Sequence, residues 1–178
     1  MRWSLRRFTL TKQVPLTISR GTTAAVEHLL LELEHGGQIG RGETGGFDTG
    51  QRAFSTAQLE QELTGWLPQL EAAGWQEPAH WPALLAPLSA PARCAVDLAL
   101  HDLWGQLLGQ PLWRLWGLDL RGCQPTSVTL GLAPVEKVLE RLSRWRQQLP
   151  ASRVKLKLGS PDGLSHDPAL VEALLPVL

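Results

Sequence analysis

The chain has almost nothing with which to build a covalent or metal-bound scaffold. Its only two cysteines, Cys94 and Cys123, belong to no CxxC pair and no Cys/His cluster. A disulfide framework or a zinc site needs more ligands at tighter spacing, so both are expected to be reduced thiols of a cytosolic protein. Charge of one sign is not in excess either: 17 basic residues balance 17 acidic ones, with no long run of either. That excludes the basic patch of a nucleic-acid binder and the polybasic segment of a membrane-surface protein. Long apolar runs are missing as well. The opening MRWSLRRFTLTKQVPL lacks the apolar stretch of about 7–15 residues that a secretory signal needs. No segment approaches the roughly 18 apolar residues of a membrane span. A soluble, cytoplasmic protein is expected, with neither nucleic acid nor membrane as partner. Tyrosine is absent while tryptophan occurs eight times, an imbalance that carries no functional reading by itself.

What is present is a core-forming pattern. Apolar residues make up 43% of the 178 positions, and this length suits one medium domain or a small domain plus a piece of another. Residues 2–10 and 26–34 read as strands, the second with Leu29, Leu31 and Leu33 on one face. Gly36-Gly37 is a turn signal, and residues 38–43 return as a third strand of an antiparallel meander. Ser55 or Thr56 can cap a helix running to about Leu70, and Pro78, Pro82 and Pro87 then break the chain into a loop. Residues 91–108 give the clearest helix. Pro91 suits its first turn, Ser89 can cap it, and Val96, Leu100, Leu103 and Leu107 form one stripe.

The pattern changes after Gly122. Residues 126–132 read as a strand and 134–148 as an amphipathic helix opened by Pro134. Residues 153–158 read as a second strand, and 168–177 as a helix with Asp167 as candidate cap. Such alternation belongs to a parallel sheet or barrel. The expected fold is an α+β domain (antiparallel β-meander plus helices) over residues 1–120, then two βα units of an incomplete (β/α) barrel over residues 121–178. Two parallel strands with their helices cannot bury both faces of a sheet, and a closed eight-stranded barrel needs about 250 residues. The open edges predict association, and a homo-oligomer is compatible with them.

Lys155-Leu156-Lys157 is the most informative triplet. Residues two apart on a strand point to the same side. Val154, Leu156 and Leu158 are expected to face a covering helix layer, and the two lysines the opposite side. They lie near the strand's C-terminal end, where the active sites of such barrels are found. Two close ammonium groups repel, and partial burial adds a desolvation cost; both favour the neutral amine, which makes a lysine a usable base near neutral pH. On spacing alone a solvated edge strand explains the triplet better, because Lys-x-Lys is common.

The order of segments changes that balance. PLTISRGT (15–22), a strand and then GRGETGG (40–46) resemble the start of the enolase superfamily, in its mandelate racemase/muconate lactonizing branch. ARCAVDLALHDLWGQLLGQPLWRLWGL (92–118) resembles that branch's signature helix, and TSVTLGL followed by VKLKLG resembles its first two barrel strands with the Lys-x-Lys motif. Within the branch, the ISRGT segment looks most like the dipeptide epimerases, such as L-Ala-D/L-Glu epimerase. The resemblance implies that residues 1–120 form a capping domain over a TIM-type barrel. It implies a dipeptide or other small carboxylate as substrate. Lys157 would be the base that takes or returns the α-proton on one face, and Lys155 would help hold the substrate carboxylate. Arg20 would pair with a carboxylate on the substrate side chain, a task suited to a planar guanidinium, and Thr129 would hydrogen-bond the substrate.

Each residue also has a plainer reading. Arg20 can be a surface arginine in a turn, Thr129 a β-former, and Glu43 a structural member of its turn. Asp97, His101 and Asp102 read as packing and hydrogen-bonding groups between domains; His101 stands where relatives often carry tryptophan. The implied chemistry needs a divalent cation, Mg2+ in the family, to hold the enolate. The family takes its three carboxylate ligands from the third to fifth barrel strands and a second lysine from the sixth. It takes an acidic pair for the substrate ammonium from later still. None of these is expected here, so no residue is assigned as metal ligand: Asp162, Asp167 and Glu172 follow strand two and are not at successive strand ends. Two alternatives stand beside the epimerase, an o-succinylbenzoate synthase or muconate-type cycloisomerase, and a non-catalytic remnant.

Overall fold

The computed structural model describes residues 1–149, 152–160 and 163–178. They form two compact units, one of Met1–Leu10 with Val26–Leu120, the other of Thr11–Ala25 with Arg121–Leu178. Strands β1 (Arg2–Ile18), β2 (Gly21–His35) and β3 (Gln38–Gly45) make one sheet in that order. β1 and β2 are much longer than the apolar patterning predicts, because the hairpin arms stay extended out to the turn at Ser19-Arg20. Pro15 does not stop β1, which is an edge strand and can lose a backbone donor. β2 and β3 are antiparallel, with Leu31 opposite Gly42 and Leu33 opposite Gly40.

The first unit's core begins with the period-two row Leu29, Leu31 and Leu33, all fully buried. Burying each such side chain contributes about 1.5–3 kcal/mol. A short hairpin, β4 (Phe47–Asp48) and β5 (Ala53–Phe54), leads to α1 (Thr56–Ala73), which adds Leu59, Leu63, Leu67 and Leu70. Ser55 caps α1: its hydroxyl accepts from the Gln58 amide at 3.1 Å, and the Gln58 side chain accepts from the Ser55 amide at 2.8 Å. The proline-rich segment is not an open loop. It holds a 3-10 turn, Pro78–His80, and the short helix α2 (Trp81–Leu85), with prolines in their first turns, where the missing donor costs nothing.

Helix α3 (Ala90–Leu108) packs against β3 and brings its buried Ala95 and Ala99 to the strand. The contact is backbone to backbone. A methyl group on Gly42 would lie 1.8 Å from the Ala95 carbonyl oxygen, and one on Gly40 would lie 2.2 Å from that of Ala99. The glycines of GRGETGG at strand spacing thus meet alanines at helical spacing. Val96, Leu100 and Leu103 are buried and Leu107 is half-buried, as the stripe predicts. Ser89 does not cap α3 with its side chain. Its amide and hydroxyl both donate to the Glu62 carboxylate, each at 2.6 Å. After α3 comes the single turn α4 (Leu112–Leu115).

The acidic and histidine residues of α3 make hydrogen bonds and ring contacts within the first unit. The Asp102 carboxylate accepts from the Arg41 amide at 2.8 Å. His101 Nδ1 lies 2.9 Å from the Asp97 carbonyl oxygen, and the ring meets Trp81, Trp104 and Trp116 edge-on. Glu43 pairs with His28 at 2.6 Å on the sheet.

The second unit contains β6 (Ser127–Leu130), α5 (Val135–Gln148), β7 (Arg153–Leu156) and α6 (His166–Leu174). β6 and β7 are parallel. Leu130, Val138, Leu142, Leu170 and Leu174 form its core, with Val154 and Leu156 packed against it. Leu158 is 50% exposed, contrary to its expected place in the helix-facing row, because β7 ends at Leu156. Asp167 is not the cap of α6. Ser165 occupies the capping position, and Asp167 lies in the first turn. No described helix is long and apolar enough to cross a membrane, and Cys94 and Cys123 are free and exposed.

Candidate functional site

The candidate site residues lie within the second unit, at the C-terminal ends of its two strands and on the hairpin tip. The register pairs Val128 with Val154, Thr129 with Lys155 and Leu130 with Leu156. Leu130, Val154 and Leu156 pack with the helices, so alternation puts Thr129 and Lys155 side by side on the opposite face. Lys157 sits one residue beyond β7, yet its amide donates to the Leu130 carbonyl at 3.1 Å. That bond continues the parallel ladder and carries the alternation on to Lys157. Lys155 is exposed, whereas Thr129 and Lys157 are half-buried. The partial burial expected of both lysines therefore holds for Lys157 alone.

The hairpin tip, Thr11–Ala25, belongs to this unit and reaches the same strand ends. The Leu132 amide, two residues past β6, donates to the Thr17 carbonyl at 2.9 Å. Ser19 Cβ stands 3.8 Å from a Cβ placed on Gly159, beyond β7. The turn at Ser19-Arg20 thus sets the exposed Arg20 close in sequence to both anchors. A groove of about 440 Å³ opens beside β6; its lining includes Lys12, Leu16, Thr129, Gly131, Arg141 and Trp145. Its volume falls in the usual range for small-molecule sites.

Gly131 makes the close approach of the tip feasible. A methyl group there would lie 2.9 Å from the Thr17 carbonyl oxygen and 3.1 Å from the Thr17 amide. Gly131→Ala is expected to push the tip outward while the two strands stay folded. Overpacking costs of about 1–3 kcal/mol correspond to roughly 5- to 150-fold more opening. The rate of tryptic cleavage after Arg20 should rise in that range, with cleavage sites in the first unit unaffected. An unchanged rate at Arg20 would mean that the tip is not held by this contact.

The sequence singled out Lys155, Lys157, Thr129 and Arg20, and all four belong to this one unit. Two further contributors escaped it: Gly131, and Asp167 as a partner of the loop after β7. Their signal is position, a glycine directly after β6, another three residues after β7, and an acid at the start of the next helix. Among the described residues, no group of three or more His, Cys, Asp or Glu is placed to hold a metal ion. One oxygen of Asp167 is already taken by the Gly159 amide. Glu172 is exposed on α6, and Asp162 lies outside the described residues. The described residues do not fit a magnesium site, which demands converging oxygens in octahedral array.

Residues 4–117 match the model of the mandelate racemase / muconate lactonizing enzyme N-terminal domain. A hydrophobic dipeptide epimerase from Roseobacter litoralis is 37% identical over 93% of this chain and 47% of its own length. An L-Ala-D/L-amino acid epimerase from a Maribacter species is 28% identical over 98% of this chain and 49% of its own. The chain thus spans about half the length of the curated relatives it matches. Among solved structures, a dipeptide epimerase from Enterococcus faecalis, complexed with Mg and L-Leu-L-Tyr, superposes with a TM-score of 0.80 at 24% identity. That match covers 99% of this chain and 49% of the other. The L-Ala-D/L-Glu epimerase from Bacillus subtilis gives 0.78 at 20% identity, over 98% and 49%. At these identities the structural matches establish the fold: an antiparallel meander with helices, then parallel strands with helices.

Proposed function

Because the chain belongs to the mandelate racemase/muconate lactonizing enzyme family, we propose that it supplies the capping domain and the first two barrel strands of a dipeptide epimerase. Residues 1–120 are the capping domain and 121–178 the βα units in this reading. The observation that carries it is the register of β6 and β7. It sets Thr129 beside Lys155 and ties Lys157 to the strand end, where the tip bearing Arg20 is also anchored. The relatives over most of this chain being dipeptide epimerases supports the same choice over a cycloisomerase.

In this proposal the substrate's α-carbon lies against Lys157, whose amine removes or returns the α-proton on one face. Lys155 and Thr129 hold the carboxylate and the peptide, acting as donors on the same face of the sheet. Arg20 selects the side chain of the C-terminal residue. The base for the opposite face, and the groups that hold the developing negative charge, fall to residues beyond those described.

Arg20 provides the test of substrate class. In a hybrid whose barrel is completed from the Roseobacter litoralis relative, Arg20→Ala should lower kcat/KM for L-Ala-L-Glu by about 10- to 150-fold. That is the range for a lost hydrogen bond between charged groups, about 1.5–3 kcal/mol. Dipeptides ending in an apolar residue should change little. Equal losses on both substrates would refute the assignment of Arg20 to an acidic side chain. Absence of epimerisation in a folded, unmutated hybrid would refute the proposed activity.

A further inference from the structure

Asp167 has no part in the roles assigned above, yet its carboxylate is placed with unusual economy. One oxygen, Oδ2, accepts from the Gly159 amide at 2.7 Å. The other, Oδ1, is buried and has no hydrogen-bond partner among the described residues, an unfavourable state for a carboxylate oxygen. Helix capping does not account for it, since α6 begins at His166 with Ser165 at the capping position. What the bond does achieve is local. It fastens the chain two residues after Lys157, at a glycine whose φ of +87° other residues rarely adopt. On the near side, the Lys157 amide is fastened to Leu130 at 3.1 Å. Leu158 alone separates the two anchors.

We propose that Asp167 is a positioning residue for Lys157. Its carboxylate fixes the exit of the chain from β7, and through that the direction in which the Lys157 side chain leaves the strand. The catalytic meaning of this role rests on the reading of Lys157 as a base; the geometric claim does not. Without the carboxylate, the segment 157–159 is held from one side only, and Lys157 gains the exposure that Lys155 already has.

The test uses the 178-residue chain as it stands. Competitive acetylation with limiting acetic anhydride, read by mass spectrometry, gives the reactivity of Lys157 relative to Lys155, Lys12 and Lys137. In Asp167→Ala the Lys157-to-Lys155 ratio should rise about tenfold or more, the opening released by one lost hydrogen bond to a charged group. In Asp167→Asn, which keeps an acceptor oxygen, the ratio should stay near that of the unmodified chain. The amide resonance of Gly159 should move upfield in the alanine variant and much less in the asparagine one. Two results would overturn the proposal. One is an unchanged ratio in folded Asp167→Ala. The other is a parallel rise at all four lysines in both variants, which marks a purely structural residue. Because labelling reads geometry and not turnover, its outcome is independent of whether Lys157 transfers a proton.

Discussion

Replacing Lys157 with alanine in a completed hybrid barrel is expected to abolish proton exchange at the α-carbon from one stereoisomer of the dipeptide and to spare exchange from the other. The reason is geometric. Epimerisation needs a base on each face of a planar intermediate, and a strand of a closed barrel can present a given side chain to one face only. Lys157 continues the ladder of β7 through its bond to Leu130, so the face of the sheet that it takes is set by the ladder. Losing a positioned base costs about two to four orders of magnitude in rate. Lys155 lies two residues deeper, opposite Thr129. Lys155→Ala should therefore weaken exchange from both isomers without separating them. Deuterium wash-in from each isomer, followed by mass spectrometry, reads both effects. Equal residual exchange from the two isomers in the Lys157→Ala hybrid would give the proton transfer to another residue.

The largest effect on stability is expected at Gly42. A methyl group there would sit 1.8 Å from the Ala95 carbonyl oxygen. Neither partner can yield as a flexible side chain would, because one is a strand in the middle of a ladder and the other a helix backbone. The helix must lift from the sheet, and Val96, Leu100 and Leu103 lift with it. Overpacking of this kind costs about 3 kcal/mol or more, roughly 6–12 °C in melting temperature for a chain of this size. Gly65→Ala is the matched control. Gly65 is on α1 with nothing within 4 Å of the added methyl, and removing a helical glycine stabilises by about 0.5–1 kcal/mol. Thermal unfolding of the two variants should move in opposite directions. A melting temperature for Gly42→Ala within a degree or two of the parent would mean that α3 does not rest on β3 as described.

Much of this architecture is legible in the sequence, and the residues show why. Leu29, Leu31 and Leu33 announce a half-buried strand, and Val96, Leu100 and Leu103 a buried helix, because burial imposes the period of the element on the side chains. The Lys-x-Lys strand is readable for the same reason, whereas Thr129 stands out only through the resemblance to the family. Element ends are less so. The outer arms of β1 and β2 carry Pro15 and several threonines in place of an alternating pattern, and pairing in a hairpin, not burial, keeps them extended. Ser89 has the chemistry of a cap but spends it on Glu62, a partner 27 positions earlier. Asp167 has the same chemistry and spends it on Gly159. Local sequence can name the donor or acceptor in such cases; only the tertiary path names the partner. The contact of Gly40 and Gly42 with Ala95 and Ala99 lies between these extremes. Small residues at strand period and at helix period were visible, but their meeting was not.

The anchoring of the hairpin tip bears on how such proteins can be recombined. Thr11–Ala25 is covalently part of the meander, yet it compacts with Arg121–Leu178. The heritable module that carries Arg20, Thr129, Lys155 and Lys157 is therefore discontinuous in the gene. Exchanging barrels between relatives calls for three junctions, after Leu10, after Ala25 and after Leu120. A single crossover near residue 120 would leave the Thr17 carbonyl of one lineage facing whatever residue the other lineage has in place of Gly131.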